Sequence, residues 1–158
     1  MSEQIQVTRD VAAGPEQIFA LLADPARHVE FDGSGFIRGL AEGGPITAVG
    51  DEFLMDMSNP ILDDYQAHCT VTAYEPGRRI GWSPRLHPDG GYADKLGDMR
   101  PGGQTFTWEL TPTSSGGTRI TQTYDWSTCW DAQFKALMPF IKEEQLADSL
   151  GRLDRAAG

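Results

Sequence analysis

The sequence predicts an α+β fold in which an antiparallel β-sheet lies against a long C-terminal helix. Apolar and polar residues alternate in most segments between residues 50 and 126, which is the period of half-buried strands. The segment Glu143–Ala157 instead carries apolar residues at helical spacing, namely Leu146, Leu150, Leu153 and Ala157. The order of these elements is not β-α-β-α, so a doubly wound parallel sheet is not expected.

The N-terminal part of the chain is expected to form one strand and then two short helices. Residues 5–11 are interpreted as the first strand, and Pro15 suits the first position of a helix that ends near Asp24. A second short helical stretch is expected over Pro25–Phe31. Beyond the turn that follows, Phe36–Leu40 are interpreted as a short edge strand.

Five alternating segments predict the remaining strands. They are Phe53–Met57, Tyr65–Ala73, Arg79–Ser83, Phe106–Leu110 and Ile120–Trp126. The sequence Glu75-Pro76-Gly77-Arg78 predicts a type II turn, because proline presets the first corner and glycine supplies the positive φ of the second. Hairpin connections of this kind favour an antiparallel sheet of about six to seven strands with one apolar face.

The segment Pro84–Gly103 interrupts this rhythm and is rich in glycine, proline and aspartate. A connection of this length inside a compact domain is usually either functional or disordered. We interpret it as a lid in which Tyr92, Leu96 and Met99 cover an apolar opening. A disordered segment or a contact between subunits are the alternatives.

Composition limits the class of protein and its partners. The chain has 158 residues, 39% of them hydrophobic, which fits one domain spanning residues 1–158. Its formal net charge of −10 argues against nucleic acid and anionic membranes as main partners, because both attract clustered Lys and Arg. The sequence contains neither an apolar run of about 20 residues nor a signal peptide, so a cytoplasmic location without integral membrane association is expected.

The cysteines and histidines do not form a metal-binding pattern. Cys69 and Cys129 are far apart and form no C-x-x-C pair, so free thiols are expected rather than a zinc or redox site. His68 falls on the polar phase of its strand. His87 lies beside Asp89 without further ligands at a suitable spacing, so neither a metal nor a cofactor is expected.

Three segments and the closing helix together resemble one known group of proteins. The segments are Val11–Pro25, Tyr74–Trp82 and Gly117–Trp126. They resemble the helix-grip superfamily of START lipid-transfer and birch-pollen-allergen-like proteins, and most closely its bacterial polyketide cyclase/dehydrase-like (SRPBCC) members. The resemblance implies a curved sheet around the C-terminal helix with a cavity between them. Members of the superfamily bind lipids, sterols, polyketides and other apolar ligands, and some are enzymes.

If the apolar strand faces look toward the helix, they supply the candidate ligand-binding residues. These are Phe53, Met55, Met57, Tyr65, Trp82, Trp108, Gln122, Tyr124, Trp126, Leu146 and Leu150, and Ile80 and Phe106 share the same faces. Packing of a filled core is the alternative for every apolar member. The polar members are more informative, because an unpaired buried polar group costs roughly 1–3 kcal/mol and therefore finds a protein, water or ligand partner.

The leading hypothesis is a binding protein for a small hydrophobic or aromatic molecule, lipid-like or polyketide-like. The alternative is a polyketide cyclase or dehydratase-type enzyme that uses the same cavity, with His28, Tyr65 and Tyr124 as candidate acids or bases. A third hypothesis is an interaction protein that forms a homodimer through the long segment. We find neither the nucleophile motif of a hydrolase nor a dinucleotide-binding motif.

Overall fold

The computed structural model describes residues 2–86 and 96–157. Within these residues the strands are β1 Gln4–Val11, β2 Ile37–Glu42, β3 Glu52–Asn59, β4 Asp63–Glu75, β5 Arg79–Leu86, β6 Thr105–Pro112 and β7 Thr118–Asp125. The helices include α1 Pro15–Leu22, a 3₁₀ helix Pro25–Glu30, α2 Ala132–Lys135 and α3 Glu143–Ala157.

The seven strands form one antiparallel sheet in the order β1-β7-β6-β5-β4-β3-β2. The sheet is curved, and register shifts in the β2–β3 and β4–β5 pairs mark irregularities of the kind that bend and twist strands. The predicted α+β fold with a curved antiparallel sheet and a C-terminal helix is thereby confirmed.

The block between β1 and β2 follows from local sequence chemistry. Gly14 precedes Pro15 at the start of α1, and the Gln17 side chain accepts a hydrogen bond of 2.9 Å from the Gly14 backbone N–H. The Asp24 side chain accepts from the Ala26 N–H at 3.2 Å and so caps the next turn. The two short helices are confirmed, and the second is a 3₁₀ helix.

Strand β5 corrects the predicted start of the long segment. The Glu75–Arg78 turn has the expected form, with Gly77 at φ 74° and a 2.9 Å hydrogen bond from Arg78 N–H to the Glu75 carbonyl. However, β5 continues to Leu86, and Pro84 pairs with Cys69 of β4. The pairing of β5 with β6 ends at Trp82, so Pro84 lies where β5 is an edge strand, and edges tolerate proline.

The end of the long segment packs apart from the main core. Leu96 is buried in a second cluster with Leu62, Tyr65, Leu86 and Phe134, and Met99 packs against that cluster. Neither Leu96 nor Met99 is placed as a cover over the cavity described below. Tyr92 and His87 lie outside the described residues.

Helix α3 begins and ends where the sequence predicts. Leu146, Leu150 and Leu153 are buried, and the helix packs against β1 and α1. In the described part of the chain, no helix has the length and apolar character needed to cross a membrane. Homodimerisation, the cytoplasmic location and the absence of nucleic-acid binding stay predictions.

Candidate functional site

A cavity lies between the curved sheet and α3. It has a volume of about 90 Å³ and is partly open to solvent. Its lining is mainly apolar and comprises His28, Phe31, Asp32, Ser34, Ile37, Phe53, Met55, Met57, Ala67, Cys69, Trp82, Pro84, Phe106, Trp108, Gln122, Ile141, Leu146 and Ser149. The lining residues that keep partial exposure, among them Ile37, Pro84 and Ile141, mark the mouth.

An aromatic cluster forms one wall of the cavity. The His28 ring stacks on Trp82 with ring centroids 4.6 Å apart and planes within 17°. Trp82 also lies 4.5 Å from Trp108, and Phe53 meets Trp82 edge-on at 5.7 Å. Alternation on β3, β5 and β6 brings Phe53, Trp82 and Trp108 to one face, so this wall is largely apolar.

His28 is the titratable side chain buried deepest in this wall. Its Nε2 lies 2.8 Å from the Leu22 carbonyl oxygen, which can only accept, so Nε2 carries a proton and donates it. Burial lowers the pKa of His28 to about 4, against the upward effect of this hydrogen bond. The imidazole is therefore neutral at pH 7 and is a weak base.

The acidic side chain at the mouth is already occupied by the chain itself. Asp32 Oδ1 accepts hydrogen bonds from the Ser34 N–H at 3.0 Å and the Ser34 hydroxyl at 2.6 Å. Asp32 Oδ2 accepts from the Ile37 N–H at 2.8 Å. The carboxylate thus organises the loop between the 3₁₀ helix and β2.

Ser149 joins α3 to the same loop. Its hydroxyl accepts a 2.8 Å hydrogen bond from the Gly33 N–H and donates to the Gln145 carbonyl at 3.2 Å. A Cβ at residue 33 would lie 2.8 Å from the Ser149 nitrogen and still closer to the Gln145 oxygen. Glycine is therefore required here so that the loop and helix can approach.

Two polar atoms on the sheet wall lack hydrogen-bond partners in the described part of the chain, unlike the side chains of His28, Asp32 and Ser149. Trp108 Nε1 and Gln122 Oε1 are buried, and neither has a hydrogen-bond partner among the described residues. Trp108 and Gln122 occupy directly paired positions of β6 and β7, so their side chains are neighbours on one face. One is a donor and the other an acceptor.

The structure brings most of the sequence-predicted residues together. The predicted interior residues that line the cavity are Phe53, Met55, Met57, Trp82, Phe106, Trp108, Gln122 and Leu146, together with the catalytic candidate His28. Their role in binding or catalysis stays a prediction. Tyr65, Tyr124, Trp126 and Leu150 are buried but do not line this cavity.

The two tyrosines are held by protein groups away from the cavity. The Tyr65 hydroxyl accepts a 3.2 Å hydrogen bond from Asn59 Nδ2. The Tyr124 hydroxyl lies 3.2 Å from the Met138 sulfur and accepts from the Phe140 N–H at 3.3 Å. Burial raises the pKa of both phenols, so neither is suited to deprotonation.

Sequence reasoning missed several lining residues. Ala67 and Cys69 share the phase of Tyr65 on β4, and Ser149 lies three residues after Leu146 on α3, so periodicity could have found them. Asp32, Ser34 and their loop carried no such signal. Cys69 is a buried free thiol whose pKa is raised by burial, and Cys129 is a half-buried free thiol.

The described residues offer no metal-binding group of three or more His, Cys, Asp or Glu side chains. His68 is partly exposed and lies 3.2 Å from Glu52. His87 and Asp89 lie outside the described part of the chain, and the expectation of no metal or cofactor stays a prediction.

Comparisons with solved structures support the fold. Protein Ms6760 from Mycobacterium smegmatis matches 98% of this chain and 90% of its own at a TM-score of 0.69 and 16% identity. DynU16, a protein in the dynemicin biosynthetic locus, matches 98% of this chain and 47% of its own at a TM-score of 0.61 and 20% identity. These identities show a shared fold alone.

Sequence comparisons give the family. The uncharacterized protein Rv0088 of Mycobacterium tuberculosis is 33% identical over 117 residues, which are 74% of this chain and 45% of that protein. The chain thus spans about half the length of this curated relative. The family model described as polyketide cyclase / dehydrase and lipid transport matches residues 2–158, and the chain belongs to this family.

Proposed function

We propose that the chain binds a small hydrophobic or aromatic molecule, lipid-like or polyketide-like, in the cavity between the sheet and α3. The observation that carries this proposal is an apolar cavity with an aromatic wall, formed around Phe53, Trp82 and Trp108. Apolar walls with a few polar groups are typical of small-molecule sites. Membership in a family described by cyclase, dehydrase and lipid transport activities supports it.

The energetics of the cavity favour burial of an apolar ring system. A ligand that loses roughly 200 Å² of apolar surface to the protein gains about 5 kcal/mol, at about 25 cal/mol per Å². Part of this gain is offset by lost translational and rotational freedom. The preformed wall of stacked rings reduces the further cost of ordering side chains.

Filling the cavity tests this proposal. Ala67 lines the cavity from β4, and Ala67→Leu would add apolar volume inside it. Thr72→Leu adds a similar side chain on the exposed side of the same strand and serves as the matched control. We expect N-phenyl-1-naphthylamine, a neutral fluorescent probe, to bind the wild type and Thr72→Leu, and to bind Ala67→Leu at least tenfold more weakly.

The result of this titration discriminates clearly. Equal binding of the probe to all three proteins, with each shown to be folded by circular dichroism, would place the probe outside the cavity and contradict the proposal. If binding is lost only in Ala67→Leu, mass spectrometry of a molecule that co-purifies with the wild type would identify the natural ligand class.

A second candidate function is a cyclase or dehydratase-type reaction in the same cavity. The observation in its favour is that His28 lines the cavity and, with Nε2–H donating to Leu22, retains a lone pair on Nδ1. Its lowered pKa makes it a weak base, which is why ligand binding is the leading proposal.

Comparison of bound molecules separates the two candidates. If His28 supports a dehydration, the molecule recovered from folded His28→Gln should exceed that recovered from the wild type by the mass of one water. Recovery of the same molecule from both proteins would contradict the enzyme hypothesis and leave the binding proposal standing.

A further inference from the structure

The polar groups of the cavity are of two kinds, those with a hydrogen-bond partner in the described part of the chain and those without one. This difference limits which ligands the cavity can bind. The side chains of His28, Asp32, Ser34 and Ser149 make hydrogen bonds to groups of the chain. Trp108 Nε1 and Gln122 Oε1 lack such a partner among the described residues. A buried polar atom without a partner costs roughly 1–3 kcal/mol, so these two positions favour an occupant that completes them.

The pairing of the two atoms points to the group that would complete them. Trp108 Nε1–H only donates, whereas Gln122 Oε1 only accepts. A hydroxyl does both, because its oxygen accepts from the indole while its proton is donated to the amide oxygen. The terminal torsion of glutamine is soft, so the Gln122 amide can turn toward an occupant at small cost.

The charge of the lining constrains the occupant further. The described lining residues include no Lys or Arg, and they include the Asp32 carboxylate. His28 is buried and neutral at pH 7, so it supplies no positive charge. A carboxylate or phosphate that entered would lose its hydration without meeting a cation, which is costly in an apolar site.

We propose that the cavity selects uncharged ligands that carry a hydroxyl on an apolar ring system, with the hydroxyl placed between Trp108 and Gln122. This inference rests on the proposed function, since it names the ligand class of the same site. Fatty acids and other anionic amphiphiles are correspondingly poor ligands. Flat phenols or alcohols with apolar bodies fit the aromatic wall of Phe53 and Trp82.

Four naphthalenes of similar shape test the inference by titration calorimetry at pH 7. They are 2-naphthol, which has a donor and an acceptor, 2-methoxynaphthalene, which has an acceptor only, naphthalene itself, and 2-naphthoate, which is anionic. We expect 2-naphthol to bind about tenfold more tightly than naphthalene, because it completes two buried hydrogen bonds. Binding of 2-methoxynaphthalene should be intermediate, and 2-naphthoate should bind most weakly.

Two variants assign this preference to the proposed pair. Gln122→Met keeps the length of the side chain and removes the amide, and Trp108→Phe removes the indole N–H. In each folded variant the advantage of 2-naphthol over naphthalene should fall to within about threefold.

The remaining outcomes distinguish failure of this inference from failure of the proposed binding function. Equal wild-type affinities for 2-naphthol and naphthalene would overturn the inference, because they would show that Trp108 and Gln122 bond to water or to each other. The proposed binding function would survive that result. Tightest binding of 2-naphthoate would overturn the selection for uncharged ligands, and failure of all four to bind would count against both.

Discussion

At the scale of single residues, His28 connects the fold to the cavity. Its ring is sealed between Trp82, Phe31 and Phe53, and its Nε2–H is bonded to the Leu22 carbonyl at 2.8 Å. A protonated imidazole in this environment would lose most of its hydration, which is why burial lowers its pKa. Burial lets the His28 ring pack in the aromatic wall, and the same burial makes His28 a weaker base.

This environment predicts a dependence of stability on pH. The pKa of His28 is about 4 in the folded chain and 6.5 as the ordinary value, so the unfolded chain binds more protons between these limits. The contribution of neutral His28 to the free energy of unfolding is present above pH 6.5 and is lost as the pH falls toward 4. We expect the free energy of unfolding to fall by about 2 kcal/mol from pH 7 to pH 5 on account of His28.

Urea unfolding of the wild type and His28→Gln at both pH values measures this effect. Carboxyl groups whose pKa is lowered, such as Asp51 bonded to Thr47, also lose stabilisation in acid, so the difference between the two proteins is the relevant quantity. The variant should show the shallower pH dependence. Equal dependence in both would mean that His28 titrates normally in the folded chain.

At the scale of elements, α3 serves both as packing and as cavity wall. Leu146 and Leu150 lie one turn apart on the same buried face, but Leu146 lines the cavity whereas Leu150 does not. Truncation of a fully packed leucine leaves a void and loses contacts on all sides. A leucine beside an existing cavity has fewer contacts to lose.

The two leucines therefore form a matched pair of variants. We expect Leu150→Ala to lower the free energy of unfolding by roughly 2–5 kcal/mol, and Leu146→Ala to lower it clearly less. Urea denaturation of both variants measures the difference. A larger loss for Leu146→Ala would mean that the cavity is filled by side chains in solution.

The contact between Gly33 and α3 gives a second prediction for this scale. Gly33→Ala places a methyl group against the Ser149 nitrogen and the Gln145 carbonyl, so the loop must move away from the helix. We expect a loss of about 2–4 kcal/mol in the free energy of unfolding. Gly39→Ala on β2 is the control, because nothing lies within 4 Å of its Cβ and no loss is expected. Equal melting temperatures for the two variants would show that the loop does not press on α3.

The helices and strands were predicted well where a single periodic pattern of apolar residues determines the secondary structure. The apolar stripe of α3 and the alternation along β3 and β4 reflect burial of one face, which a period in the sequence records directly. The end of β5 was missed because proline disfavours strand structure in the local sequence. Pro84 is tolerated in β5 because β6 no longer pairs with this part of the strand, so no backbone N–H is needed there.

The candidate site was predicted less well, for a related reason. Alternation shows which face of a strand is buried, but not which part of that face borders the cavity. Tyr124 and Gln122 share one face of β7, yet Tyr124 is closed off by Met138 and Phe140. The loop containing Asp32 and Ser34 lies at the cavity, where Gly33 contacts α3, and no period in the sequence records such a tertiary contact.

At the scale of the whole molecule, the interior has two parts with different expected roles. The main core surrounds the cavity, whereas the second cluster around Leu62, Leu86 and Leu96 is a separate packed group that includes Tyr65. Two methionines distinguish the two parts, because Met55 lines the cavity within the main core and Met99 packs against the second cluster. They therefore report separately on each.

Methyl NMR of the ¹³C-methionine-labelled chain during titration with 2-naphthol tests the central claim most directly. If the cavity is the binding site, the methyl signal of Met55 shifts in proportion to occupancy, because an aromatic ring nearby alters its shielding. The Met99 signal stays in place. Shifts confined to Met99, or binding detected by calorimetry without any change at Met55, would contradict the account.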